Sequence, residues 1–143
     1  MSHEVVAALI IQSHKILLGQ RSATRAFYPD VWDLFGGHME PGEGQEQTLV
    51  RELKEELGIT PTRWTFLETL TLDLPEPPNE PHYESTRQLT VHLYLVTAWK
   101  GTPFNRQPEE HSVIHWFSLA EATQLHLADP VYPTLFARHL TSE

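Results

Sequence analysis

The chain is predicted to be an α/β protein, a mixed β-sheet flanked by helices, on three observations. Short β-branched or alternating stretches recur along it, one long helical repeat free of proline and glycine interrupts them, and two strand-like stretches flank a proline-rich connection in the middle. With 143 residues, 40% of them hydrophobic, it suits a single domain spanning 1–143 that buries about two-thirds of its unfolded surface.

Taken in order, residues 5–11 are apolar and β-branched, and residues 15–18 repeat that character after the polar Gln12, Ser13 and His14, which predicts a hairpin. Residues 21–30 show little periodicity and read as loop. Residues 31–35 are a short extended stretch ending at Gly36 and Gly37, after which Pro41 and Gly42 mark a turn. From 45 to 57 nothing breaks the chain. Leu49, Val50, Leu53 and Leu57 recur there at helical spacing, and Gly58 supplies the stop.

Residues 66–74 alternate Leu70, Leu72 and Leu74 with Thr69, Thr71 and Asp73, the period of a half-buried strand, and 89–96 read similarly. Between them, 75–85 hold four prolines and form a loop too long for a tight turn. A strand at 113–117, a short helix at 119–125 and a last helix with Pro133 in its first turn, running to about Leu140, complete the order.

Composition removes several classes of function. A formal net charge of −9 argues against long nucleic acid as a partner, because that affinity rests on Lys and Arg neutralising phosphates. No apolar run is long enough for a membrane span, and the start lacks a basic leader region. The absence of cysteine excludes disulfides and thiolate metal sites, and leaves the cytoplasm as the default location.

On the helix at 45–57, Glu52, Glu55 and Glu56 stand at i, i+3 and i+4 and share one face, with the leucines on another. A solvated acidic face is the ordinary explanation for such a pattern. Position argues otherwise. Glu55 and Glu56 sit in the last turn, where the dipole disfavours each carboxylate by roughly 0.3 to 1 kcal/mol, and the Glu52/Glu56 pair repels by about 0.2 to 0.5 kcal/mol. Arg51 relieves part of this and a bound cation would offset both. Oxygen donors select a hard ion, Mg²⁺ or Mn²⁺, which completes its shell with phosphate oxygens of a small ligand.

Gly37, Glu43, Arg51, Glu52, Leu53, Glu55, Glu56, Gly58 and Ile59 reproduce at every defined position the pattern G-x5-E-x7-R-E-U-x-E-E-x-G-U, where U is a bulky aliphatic. Seven fixed residue types in register arise by chance with a probability on the order of 10⁻⁹. The sequence therefore resembles the Nudix hydrolases, a family with an α/β/α sandwich fold. The resemblance implies a metal-dependent pyrophosphohydrolase that cleaves a nucleoside diphosphate linked to some other group. Nucleoside triphosphates come first as substrates, in a MutT-like role, with nucleotide sugars or ADP-ribose as alternatives. A non-catalytic nucleotide-binding regulator is the alternative of another class.

Glu52, Glu55 and Glu56 become the implied metal ligands, with Gly37 letting the backbone approach the metal and phosphate closely. Arg51 orients the neighbouring carboxylates, Glu43 braces the loop, and Gly58 serves turn geometry. Family precedent leaves the general base open between Glu52 and a later-loop glutamate, Glu109 or Glu110. The partner is a small nucleotide, and a homodimer is compatible with family habit. Phe35 departs from the family, standing where many members have proline, which makes transfer of any one member's substrate unsafe.

Substrate contacts are expected from Arg21 and Arg25 as phosphate clamps, and from Trp32 and Tyr83 as recognition residues. Phe27, Tyr28 and Trp32 have a competing explanation as core, and His82 and Tyr83 lie in the proline-rich loop. The nine histidines show no zinc spacing and read as scattered polar residues.

Overall fold

The computed structural model describes residues 2–22, 30–73 and 88–139. Arg25, Phe27, Tyr28, His82, Tyr83 and the segment 75–85 lie outside the described residues. The elements are β1 (Ser2–Gln12), β2 (Lys15–Arg21), β3 (Trp32–Asp33), β4 (Phe35–His38), α1 (Gln45–Leu57), β5 (Thr60–Asp73), β6 (Gln88–Lys100), β7 (His111–Ser118), α2 (Leu119–Ala122) and α3 (Tyr132–His139).

The expected first hairpin is present. β1 turns into β2 through Ser13 and His14, at φ 52° and 63°, with Gln12 opposite Lys15. Positive φ at both central residues matches the twist of the flanking strands. Beyond the hairpin contact, β1 runs parallel to β6 from Ser2 opposite Gln88 to Ile10 opposite Val96, and antiparallel to β4. The path through the sheet is β3-β2-β1-β6-β5, with β7 added to β2 and β4 to β1, so the sheet is mixed.

Alternation along β1 builds two cores. Val6, Ala8 and Ile10 meet Leu49, Leu53 and Leu57 of α1, together with Phe35, Tyr94 and Val96. Leu9 faces the other way and joins Leu93, Ala122, Leu135 and Phe136, beneath α2 and α3. This is the expected α/β/α sandwich. Each fully buried leucine of α1 contributes roughly 1.5 to 3 kcal/mol, enough to fix the helix on the sheet and turn its opposite face outward. Val50 is only half-buried, so the docking stripe is the i, i+4, i+8 row rather than the wider one the sequence suggested.

Several boundaries move. β2 continues to Arg21, where loop was expected, and β5 begins at Thr60 rather than 66. Its first half carries Pro61 and register shifts at Pro61/Arg63, Arg63/Trp64 and Phe66/Glu68, which break the alternation a strand is recognised by. β6 is not half-buried: Val91, His92, Leu93 and Tyr94 are all buried because the strand lies between β1 and β5 with helices on both sides. α2 spans four residues instead of seven, closed at its start by a capping box between Ser118 and Glu121. No helix among the described residues is long and apolar enough to cross a membrane.

Candidate functional site

β4 passes through Gly36 and through Gly37, the first residue of the box, before reaching His38. Gly36 has φ 151°, and a Cβ there would lie 1.9 Å from the Val6 carbonyl oxygen, so only glycine lets β4 lie this close to β1. Gly37 faces α1. A Cβ on it would sit 2.4 Å from the carboxyl carbon of Glu52, so the missing side chain is the space that Glu52 occupies. The sequence expects a close approach of metal and phosphate here; the group that the structure shows against Gly37 is the Glu52 carboxyl.

Glu56 enters the same region from one turn further along α1. It is 5% exposed, and its Oε1 accepts a hydrogen bond of 2.9 Å from the Gly36 backbone N–H. Burial pushes its carboxyl well above the usual range. The Gly36 bond opposes that, while the charges of Glu52, Glu110 and Asp33 add to it. Glu52 is raised for the same first reason, burial, against the pull of Arg51.

Arg51 holds the acidic face together. Its Nε and Nη2 donate to the two oxygens of Glu43 at 2.8 and 3.0 Å, its Nη1 donates to Glu52 at 2.8 Å and Glu55 at 3.3 Å, and Nη2 also reaches the His38 carbonyl at 3.0 Å. Glu43 additionally accepts from the Thr48 hydroxyl at 2.6 Å and from the Glu40 backbone N–H at 3.1 Å. The guanidinium and Thr48 bonds hold the Glu43 carboxyl down at about 2. The forked geometry fixes the loop at 38–43 to the helix in a way a lysine would not. Glu55 lies at the rim, its side chain half-exposed, and does not line the cavity.

The loop after β6 closes the helix end. The Phe104 and Arg106 backbone N–H groups donate to the carbonyls of Leu57 and Glu56 at 3.1 and 3.0 Å, and the Arg106 guanidinium donates to the Lys54 carbonyl at 2.9 Å. Gly58 caps from within the chain at φ 70°, and a Cβ there would meet the Phe104 ring at 2.4 Å, so its role combines turn geometry with close packing. A loop pinned to the last turn of α1 then delivers Glu110 and His111 to the glutamates. Ligand atoms of Glu56, Glu110 and His111 all lie within 4.8 Å of one another. Glu109 is exposed and does not line the cavity, so of the two later-loop glutamates it is Glu110 that reaches it.

These groups open into one cavity of about 440 Å³, lined also by Val5, Ala7, Val91, Arg21, Asp33 and Tyr132. Arg21 is at its edge, 3.4 Å from Asp33. Asp33 accepts from the Tyr132 hydroxyl at 2.8 Å and the Leu34 N–H at 2.7 Å, and burial raises its carboxyl despite both bonds. Trp32 is placed elsewhere: it packs on the second core, edge-on to Phe117 at 4.8 Å, and is not among the cavity-lining residues. Aromatic burial in a small domain outweighs stacking availability at that position.

Sequence reasoning missed His111, Asp33, Tyr132 and Arg106. Asp33 carried a readable signal as a lone acid in an otherwise apolar stretch. His111 directly follows Glu110, but a search for paired histidines passes over it. Arg106 and Tyr132 gave no local signal, since their roles arise from contacts across the fold.

The donor set fits a divalent cation. Burial holds Glu52 and Glu56 up, neighbouring carboxylates add to it, and a divalent charge among them would offset both effects. A mixed sheet between helices, with glycine-bearing β4 and a glutamate-bearing helix facing one cavity, defines an α/β/α sandwich with a carboxylate-lined site. The chain belongs to the NUDIX domain family, whose model matches residues 1–138.

It is 38% identical over 134 residues to CTP pyrophosphohydrolase of Escherichia coli (strain K12), covering 94% of this chain and 89% of that one. It is 31% identical over 118 residues to 8-oxo-dGTP diphosphatase of the same organism, covering 81% and 80%. Among solved structures, the E. coli ORF135 protein superposes with a TM-score of 0.74 at 36% identity, covering 95% of this chain and 86% of that one. The relatives are named as hydrolases of nucleoside triphosphates, in agreement with the hydrolase class expected from the box.

Proposed function

We propose that this chain hydrolyses a phosphoanhydride bond of a nucleoside triphosphate, in the MutT-like manner, with Mg²⁺ or Mn²⁺ bound. The observation that carries the reading is the convergence of Glu52, Glu56 and Glu110 on one cavity, with the Arg51–Glu43 fork bracing the helix that bears two of them. Glu56 and Glu110 are the first candidates for holding the ion, with Glu52 beside them and Glu55 at the rim. When bound, the ion neutralises diphosphate charge and lowers the cost of generating the nucleophile from water.

The protein supplies the rest by positioning. Glu52, hydrogen-bonded by Arg51 and seated against Gly37, is the first candidate to orient and deprotonate water, and Glu110 is the second. Val5, Ala7, Val91 and Leu89 give the cavity an apolar wall for a base, and Arg21, which lines the same cavity, is the contact proposed for a phosphate. Arg25 and Tyr83 remain proposed contacts from outside the described residues. The names of the relatives favour nucleoside triphosphates over nucleotide sugars. A small soluble nucleotide as partner also accords with a cytoplasmic enzyme.

The test is a hydrolysis screen with Mg²⁺ or Mn²⁺ over nucleoside triphosphates, nucleotide sugars and ADP-ribose, with products identified by mass. Glu56→Gln and Glu52→Gln are expected to lower turnover by about 10² or more while the domain stays folded. Near-normal rates in both variants refute the assignment, and nucleotide binding without turnover in the wild type identifies a regulator instead.

A further inference from the structure

The cavity contains a nitrogen donor that the box does not supply. His111 opens β7, is 6% exposed, and brings a ring nitrogen within 4.8 Å of carboxylate oxygens on both Glu56 and Glu110. Donors on one ion at about 2.0–2.2 Å lie about 3 Å apart when adjacent and about 4.4 Å apart when opposite, so side-chain adjustments of the order of 1 Å bring the three groups onto one ion.

The ring sits in a built socket. Phe35 packs against it with centroids 5.1 Å apart, and Gly19 leaves space that a Cβ would fill, 2.7 Å from the imidazole Cδ2 and 2.9 Å from Phe35. Its peptide is tied at both ends: the His111 N–H donates to Gln107 at 3.1 Å, and its carbonyl accepts from Asn105 at 2.7 Å. The loop making those ties is itself hydrogen-bonded to the Glu56 and Leu57 carbonyls. Glu56 and His111 are therefore held in register through the backbone, with no reliance on the ion.

We propose that His111 ligates the cation held by Glu56 and Glu110 through an imidazole nitrogen, making this a mixed nitrogen–oxygen site that prefers Mn²⁺ and Co²⁺ over Mg²⁺. The inference rests on the hydrolase reading above for the presence of an ion. Magnesium gains little from imidazole, whereas affinity for first-row transition ions at a nitrogen-containing site rises from Mn²⁺ through Co²⁺. Phe35, at a position where many family members carry proline, is then part of the socket that sets the ring's place.

Pulsed EPR on the intact chain loaded with Mn²⁺ tests this directly. Nitrogen-14 modulation of the Mn²⁺ signal is expected in the wild type and is expected to vanish in H111Q, which still binds Mn²⁺. By calorimetry, H111Q is expected to lose about tenfold or more in Co²⁺ affinity and less than about threefold in Mg²⁺ affinity. If H111Q folds poorly, H111N is measured, together with the shift of the backbone-assigned His111 ring nitrogens of the wild type on Zn²⁺ addition. A shift at one ring nitrogen supports ligation, and unmoved ring nitrogens overturn it. Bound Mn²⁺ without nitrogen modulation overturns the His111 assignment and leaves the hydrolase reading standing. No Mn²⁺ uptake by the wild type, with or without nucleotide, defeats both.

Discussion

Gly37→Ala isolates the contribution of one carboxylate's position. Gly37 does not have positive φ, so alanine meets no backbone penalty there. The new Cβ instead falls 2.4 Å from Glu52 Cδ and 2.5 Å from both its oxygens. Ordinary contact begins about 1 Å further out, so the carboxyl must retreat by about that distance, away from Gly37 and against its bond to Arg51. A displacement of about 1 Å in a positioned group costs on the order of 10² in rate, about 2.7 kcal/mol in activation free energy. The expected result is a kcat about 100-fold below wild type with KM changed far less, since in the proposed function Glu52 acts on the attacking water and not on the nucleoside. Steady-state kinetics at saturating metal, alongside thermal unfolding, provide the assay. A folded Gly37→Ala variant with kcat within threefold of wild type would show that the seat of Glu52 against Gly37 is irrelevant to turnover.

Leu53→Ala is expected to destabilise the protein by about 2 to 5 kcal/mol, because Leu53 is fully buried in the core that docks α1; a urea midpoint unchanged from wild type contradicts this. Glu43 gives a pH signature. Its folded pKa of about 2 lies below the ordinary 4.5, so its stabilising contribution is present above about pH 4.5 and is lost as pH falls toward 2. Glu43→Gln should therefore flatten the dependence of stability on pH across that window, and equal slopes for the two proteins count against the Arg51–Glu43 fork.

What the sequence revealed and what it concealed divide along a physical line. Properties set by local spacing were legible: Gly58 as the helix stop, the leucine row of α1, the acidic face at 52, 55 and 56, and the turn at Ser13 and His14. Properties set by pairing across the sheet were not. Thr60–Asp73 hides its first half behind Pro61 and three register shifts, and β6 hides its central position because burial on both faces erases alternation. Trp32 shows the same division, since nothing in its neighbours reveals that its ring turns toward Phe117 and away from the cavity. Asp33 and His111 were visible as residue types yet acquired meaning only when β3 and the start of β7 were both placed against β2.

The helix end resolves a difficulty that the sequence posed. Glu55 and Glu56 stand at the negative end of α1, and the sequence assigns relief of the resulting strain to Arg51 in part and to a bound cation. The structure divides that need between two parts of the chain. Arg106 and the amides of 104 and 106 bond to the terminal carbonyls, which offsets the dipole where it is strongest, and Arg51 neutralises the face one turn back. Among the described residues the Glu56 carboxylate accepts from the Gly36 amide, and it remains raised by burial and by three neighbouring acids. Stability of the helix and affinity for an ion are thus carried by different residues. The fold can hold α1 in place without metal and still keep, at Glu56, an unfavourable concentration of negative charge that a divalent ion relieves.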